Sequence, residues 1–140
     1  MNWSRIAIAA VAAWIVSMLL GYLVNDVLFA ALYADNTAVY LPRTQIQGAL
    51  PYGFGAMLVG FLAFAYAYAK GYEGGNGVSE GARYGLLVGI MLVCFATVWS
   101  WVLTPLTGKM ALAIAVDYAV EFLIYGAIVG LIYKPRQAAA

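Results

Sequence analysis

Residues 110–133, MALAIAVDYAVEFLIYGAIVGLIY, decide the fold. The run is long enough to cross a bilayer core, which takes roughly 20 apolar helical residues. Yet it carries two acids, Asp117 and Glu121, inside an otherwise apolar stretch. Working outward from it, three more runs of similar character occupy residues 6–29, 50–69 and 84–103. The segments between them are short and polar. Residues 34–49 (ADNTAVYLPRTQIQGA) contain Pro42 and Arg43, and residues 70–83 (KGYEGGNGVSEGAR) are rich in glycine and charge. Residues 104–109 (TPLTGK) read as a tight turn in which Pro105 stops one helix and Gly108 lets the chain reverse. The expected architecture is an all-α integral membrane protein. It is a single transmembrane domain over residues 1–140, an antiparallel four-helix bundle whose third and fourth helices are neighbours across that turn. Ser79 is the expected cap of the third helix, with Glu80 in its first turn.

Composition excludes the alternatives. The chain is 66% hydrophobic and 9% charged, with a mean hydropathy of +0.90. Soluble domains are about a quarter charged, so this one cannot cover a water-facing surface. The same numbers exclude disorder. A net charge of +1 argues against nucleic acid, which asks for a strongly basic face. With no histidine and a single cysteine, Cys94, the chain lacks the commonest general base and metal ligand. It can form neither an internal disulfide nor a thiolate cluster. No cofactor, no metal and no enzymatic activity are expected; the partners expected are the lipid bilayer and further membrane helices.

Charge sets the expected orientation. Arg5, Lys70, Arg83, Lys134 and Arg136 fall on one side, Arg43 and Lys109 on the other. The positive-inside rule then places both termini in the cytoplasm. Trp3, Trp101, Tyr52, Tyr72, Tyr84 and Tyr133 lie near span ends, as an interfacial aromatic belt requires. The first run is longer than the core of a cleaved signal peptide and reads as a span. The two halves of the chain do not repeat one another, so inverted-repeat transporter logic gains nothing. The glycine-rich 71–77 stretch lacks the phosphate-binding pattern and a preceding strand, and reads as a flexible link.

Two sets of residues stand out. Small residues in rows suit close helix packing: Gly81, Gly85 and Gly89 in the third span, Gly126 and Gly130 in the fourth, Gly60 in the second and Gly21 in the first. The plain reading is packing within one bundle; the sharper one makes Gly126 and Gly130 a subunit contact. The second set is polar. Asp117, Glu121 and Tyr125 share one face of the fourth helix. Counted from Lys109, Asp117 is about 12 Å and Glu121 about 18 Å into the membrane. Asn25 and Asp26, with Thr97, Ser100 and Thr104, fall in the same half. Together they describe a polar pocket narrowing toward Glu121, with Asn25 expected to donate to a carboxylate across the bundle. Such acids are costly within lipid. They act as structural hydrogen-bonding groups, as a site for a proton, cation or small solute, or as contacts to a partner.

The start Met1, Asn2 and Arg5, the Asn25 motif N-D-V-L, the pair Gly85 and Gly89, and the run E-F-L-I-Y-G-A-I-V-G followed by Tyr133 complete the pattern. It resembles the small four-span membrane proteins of bacteria that are grouped as domains of unknown function. That resemblance implies a bacterial inner membrane and no particular activity. Small multidrug transporters share the four-helix plan with a membrane carboxylate, but theirs is in the first helix and the deep acid here is in the fourth. The expected function is therefore that of a small non-enzymatic membrane subunit, as a homo-oligomer or beside a larger complex. The alternative is a proton- or cation-coupled transporter or pore.

Overall fold

A computed structural model of the chain describes residues 1–41 and 43–134; Arg136, counted above toward orientation, lies outside them. The described chain is helical, with no strand. Helix α1 (Trp3–Gly21) continues as a π-helical stretch, Tyr22–Leu28, and a short α2 (Ala30–Ala34) follows. Helix α3 (Arg43–Gly71) leads to α4 (Gly77–Leu92), which runs through a second π-helical stretch, Val93–Thr97, into α5 (Val98–Leu103). Helix α6 (Gly108–Ile132) completes the fold. Four helical stretches, Trp3–Leu28, Thr44–Gly71, Gly77–Leu103 and Gly108–Ile132, are long and apolar enough to cross a membrane.

The helix ends follow local chemistry. Asn2 caps α1 by accepting from the Arg5 N–H at 3.3 Å. Asn76, not Ser79, caps α4: its Oδ1 accepts from the Val78 and Ser79 N–H groups. The third helix therefore starts well before the apolar run that marks its span, because an amide at the cap satisfies first-turn donors irrespective of hydropathy. Thr107 caps α6. Helix α3 likewise begins at Arg43, inside the stretch read as polar loop, and carries Pro51 within it. Proline at that depth leaves the Gln47 carbonyl without its helical donor.

Packing inverts the soluble pattern. The buried stripe of α1 is small, Ala9, Ala10, Ala13 and Ser17 with Ile6, while Ile8, Val11, Ile15 and Leu19 point outward. Lipid accepts the large side chains and close helix approach takes the small ones. Helix α1 meets α3 where Trp3 stacks on Tyr66 at 5.6 Å and the Trp14 indole donates to the Phe54 carbonyl at 3.0 Å. Residue numbers thus rise along one helix as they fall along the other.

The seam between α4 and α6 is tighter. A methyl group built on Gly81 would strike the Gly126 carbonyl, and one on Gly85 the Phe122 carbonyl. One on Gly126 would strike the Gly81 carbonyl, and one on Gly89 would meet Tyr118 O at 2.7 Å. The Gly126 and Gly130 row is thereby matched within the chain, against Gly77, Gly81 and Gly85. Gly60 and Gly21 take no part in such a seam. Gly60 has open space around it, and the nearest atom to Gly21 is the side-chain amide of Asn25 on its own helix.

The core gathers at the end of the bundle where the described residues begin and end, beside Ile6 and Tyr133. Ile6, Ala9, Phe61, Phe64, Tyr68, Tyr125, Val129 and Tyr133 form its centre. Aromatic rings lock it edge to face: Phe61 on Tyr125 at 5.1 Å and Tyr68 on Tyr133 at 6.0 Å. The 71–77 link belongs to this end and is tied down. Both carboxylate oxygens of the buried Glu80 accept main-chain N–H groups from it, Glu73 at 2.7 Å and Gly75 at 3.3 Å. Gly74, at φ +86°, supplies the left-handed residue the turn needs.

Candidate functional site

The polar set gathers toward the opposite end, around the face of α6 that carries Asp117, Tyr118, Glu121 and Tyr125. Tyr125 is buried and held edge-on by Phe61 and Phe122, which fixes its hydroxyl. That hydroxyl donates to Glu121 Oε2 at 2.7 Å, one turn back on the same helix. Glu121 Oε1 is also buried and has no hydrogen-bond partner. A buried oxygen in that state costs roughly 1–3 kcal/mol, so its surroundings carry a standing demand for a donor. Asp117, half-buried one turn further along, continues the face.

The remaining sequence candidates do not converge on these acids as expected. Asn25 is exposed; its Nδ2 donates to the Gly21 carbonyl at 2.8 Å and its Oδ1 accepts from the Tyr33 hydroxyl. Its amide therefore serves its own helix and the segment that follows, within a π-helical stretch of backbone. Asp26 is exposed beside it and contributes its charge near Tyr33. Thr97 is 5% exposed with an unpartnered Oγ1. Ser100 offers its carbonyl to the Thr104 hydroxyl at 2.7 Å. These hydroxyls line α5 and its approach rather than forming one funnel to Glu121.

Residues 29–41, which run from the end of the first apolar stretch into the segment read as a polar loop (34–49), form a strap at this end. Tyr33 and Tyr40 meet edge to face at 4.7 Å. Burial first, then Tyr40, then the negative charge of Asp117 push the Tyr33 phenol up to about 12. Burial also raises Tyr40, with a further contribution from Tyr118. Sequence reasoning missed Asn36 altogether. It is 2% exposed, the one buried side chain among residues 29–41. Its Nδ2 donates to the Leu32 carbonyl at 2.7 Å, and its Oδ1 accepts the Thr107 N–H at 2.9 Å. One amide thus satisfies a carbonyl at the end of α2 and a donor at the entry to α6. Next to that contact, Leu106 and the fully buried Met110 make a small apolar patch separate from the main core.

Among the described residues no group of three acids or cysteines is arranged to hold a metal ion. Two shallow grooves lie at the terminal end instead. One, of about 300 Å³, is bordered by Tyr68, Glu73, Glu80, Arg83 and Tyr84; the other runs along Tyr72, Asn76 and Gly130.

Four apolar helices of spanning length put the chain in the class of multi-pass membrane proteins. No family model matches it, and neither the curated proteins nor the solved structures contain a match.

Proposed function

We propose that the chain is a small non-enzymatic subunit of a bacterial inner membrane, an antiparallel four-helix transmembrane bundle with both termini in the cytoplasm. It acts by helix packing, as a homo-oligomer or beside a larger membrane complex. One observation carries this reading. In the first half of α3, residues 44–60, every side chain but Leu58 is exposed. Gly48, Gly53, Gly55 and Gly60 have nothing within 4 Å of a built methyl group.

The open face is unlike the lipid-facing sides of the other helices. Those present bulk: Ile8, Val11 and Ile15 on α1, Leu87, Ile90 and Met91 on α4, Leu112, Val116 and Val120 on α6. On α3, Ala49, Gly53, Ala56 and Gly60 recur at alternating four- and three-residue spacing and are exposed. Glycine within a helix costs up to about 1 kcal/mol relative to alanine. Small residues return that cost in a membrane when another helix comes close.

Native mass spectrometry of the protein gently extracted from its own membrane tests the reading. A fixed stoichiometry with itself or with a larger subunit supports it; a monomer at every protein-to-detergent ratio overturns it.

A second reading is favoured by the unpartnered Glu121 Oε1 with Asp117 one turn away: a proton- or cation-coupled transporter or pore. Glu121→Gln separates the two. It keeps the shape and an acceptor for Tyr125 but cannot titrate. A transporter loses pH-dependent flux while still assembling, whereas a packing subunit keeps its stoichiometry and its assembly.

A further inference from the structure

We propose that the strap, residues 29–40, is a gate over the far end of α6, held shut by the single side chain of Asn36, and that its release uncovers the Asp117 face. This goes beyond either reading of function and depends on neither.

Among the described residues, the strap's other hydrogen bonds are local. Its backbone bonds run within itself or to Val24 just before it, as in Tyr33 N to Phe29 O and Tyr40 N to Asn36 O. Tyr33 bonds to Asn25, four residues before the strap. The Asn36 bond to Thr107 spans 71 positions and ties the strap to another part of the bundle. Half of the strap is exposed: Ala30, Ala31, Ala34, Asp35, Thr37 and Ala38. Segments with few buried apolar contacts open most readily. Asn36 is the one buried side chain of the strap, and Phe29 at its start is placed to act as a hinge. At Phe29 the backbone leaves the helical region, at φ −97° and ψ 2°. Helix α2 of the strap is in contact with α6, and Tyr33 and Tyr40 are near enough for Asp117 and Tyr118 to act on them electrostatically.

Asparagine is chosen for having both a donor and an acceptor on one short side chain. Aspartate keeps the acceptor for Thr107 and loses the donor to Leu32. Alanine loses both. Thr107→Pro removes the N–H itself, and the Thr107 backbone at φ −69° and ψ 145° already suits proline.

The experiment is a pair of spectroscopic distance and labelling measurements on the full chain in lipid nanodiscs, in a Cys94→Ser background because Cys94 is exposed. Spin labels at Ala38→Cys and Lys109→Cys report the strap-to-α6 distance. In a separate chain, Asp117→Cys reports access by its rate of reaction with a charged maleimide. The parent and Asn36→Asp are expected to give one narrow distance and slow labelling. Asn36→Ala and Thr107→Pro are expected to give a broad, longer distribution and labelling faster by roughly tenfold or more, the factor a lost buried hydrogen bond supplies. Narrow distances in all four overturn the latch. A strap that opens without faster labelling at position 117 overturns the gate. Because two different groups of the same bond are removed, a variant that fails to fold leaves the other to decide.

Discussion

Gly126 on α6 and Gly60 on α3 are the same residue in helices of the same chain, and their surroundings are opposite. A methyl group at Gly126 would collide with the Gly81 carbonyl and with Gly85, whereas one at Gly60 meets nothing within 4 Å. At the terminal end, small residues have already been matched by a neighbouring helix, and aromatic rings fill the rest. On the first half of α3 an equally small face waits without a counterpart. The comparison teaches that a row of small residues in a membrane helix marks a close approach, and that only the structure says whether the approaching helix belongs to the same chain.

The largest effect should come from breaking the matched side. Gly126→Val or Gly85→Val forces α4 and α6 apart at a backbone-to-backbone contact, where no flexible side chain can give way. Overpacking costs typically 1–3 kcal/mol, and this seam should lie at or above the top of that range, about 3 kcal/mol. Thermal unfolding in detergent, followed by circular dichroism, is the check. Retention of the parent midpoint would show that the seam can separate at no cost.

On the unmatched side the sign should turn. Gly60→Ala, with open space around it, should leave the isolated monomer as stable or more stable, by up to about 1 kcal/mol from helix propensity alone. Gly60→Leu should leave the monomer's melting unchanged but abolish the assembled species seen by native mass spectrometry. If Gly60→Leu leaves the assembly intact, α3 does not carry the contact, and the comparison between the two glycines reduces to one of packing density.

How much of this was legible follows from what hydropathy reports. The four apolar runs placed α1, α3, α4 with α5, and α6, since a bilayer imposes length and composition together. It did not place their starts. Residues 43–49 belong to a stretch read as polar loop yet are helical, and Asn76 caps α4 ahead of its apolar part, because capping and helix propensity operate on individual residues rather than on a window average. The glycine rows were visible at four-residue spacing, but their matching of Gly81 to Gly126 required the register of two helices. Glu121 and Tyr125 could be paired from spacing. Asn36 could not be found, because its partner Thr107 is distant in sequence and an asparagine in a polar segment looks like any turn residue. The π-helical stretches at Tyr22–Leu28 and Val93–Thr97 shift the facing of Asn25 and Thr97, and an ideal 3.6-residue period cannot anticipate them.

Between these extremes lies the Tyr125 and Glu121 pair, which joins the packed end to the polar one. Tyr125→Phe keeps the ring between Phe61 and Phe122 and removes only the hydroxyl, so both Glu121 oxygens are left without a donor. The cost should be about 1–2 kcal/mol, read as a lowered unfolding midpoint. Glu121→Gln, which preserves an acceptor for the Tyr125 hydroxyl, should cost less. An unchanged midpoint in Tyr125→Phe would mean that the bond contributes nothing and that ring packing alone holds Tyr125.

The smallest effect concerns the strap. Tyr33 has its phenol raised in the folded chain to about 12, above the ordinary value near 10. The folded state therefore holds this proton more tightly than the unfolded state does. Its contribution to stability is fully present below pH 10 and is lost as the pH rises through about 12. Half exposed as Tyr33 is, solvent screens much of the effect. The strap should loosen on the alkaline side while the glycine seam, which is made by backbone-to-backbone contact, stays closed. The difference in absorbance at a phenolate wavelength between the parent and Tyr33→Phe gives the titration. The strap-to-α6 distance followed across the same range gives the opening. A Tyr33 midpoint at the ordinary value would place the phenol in water, and with it the strap away from Asp117.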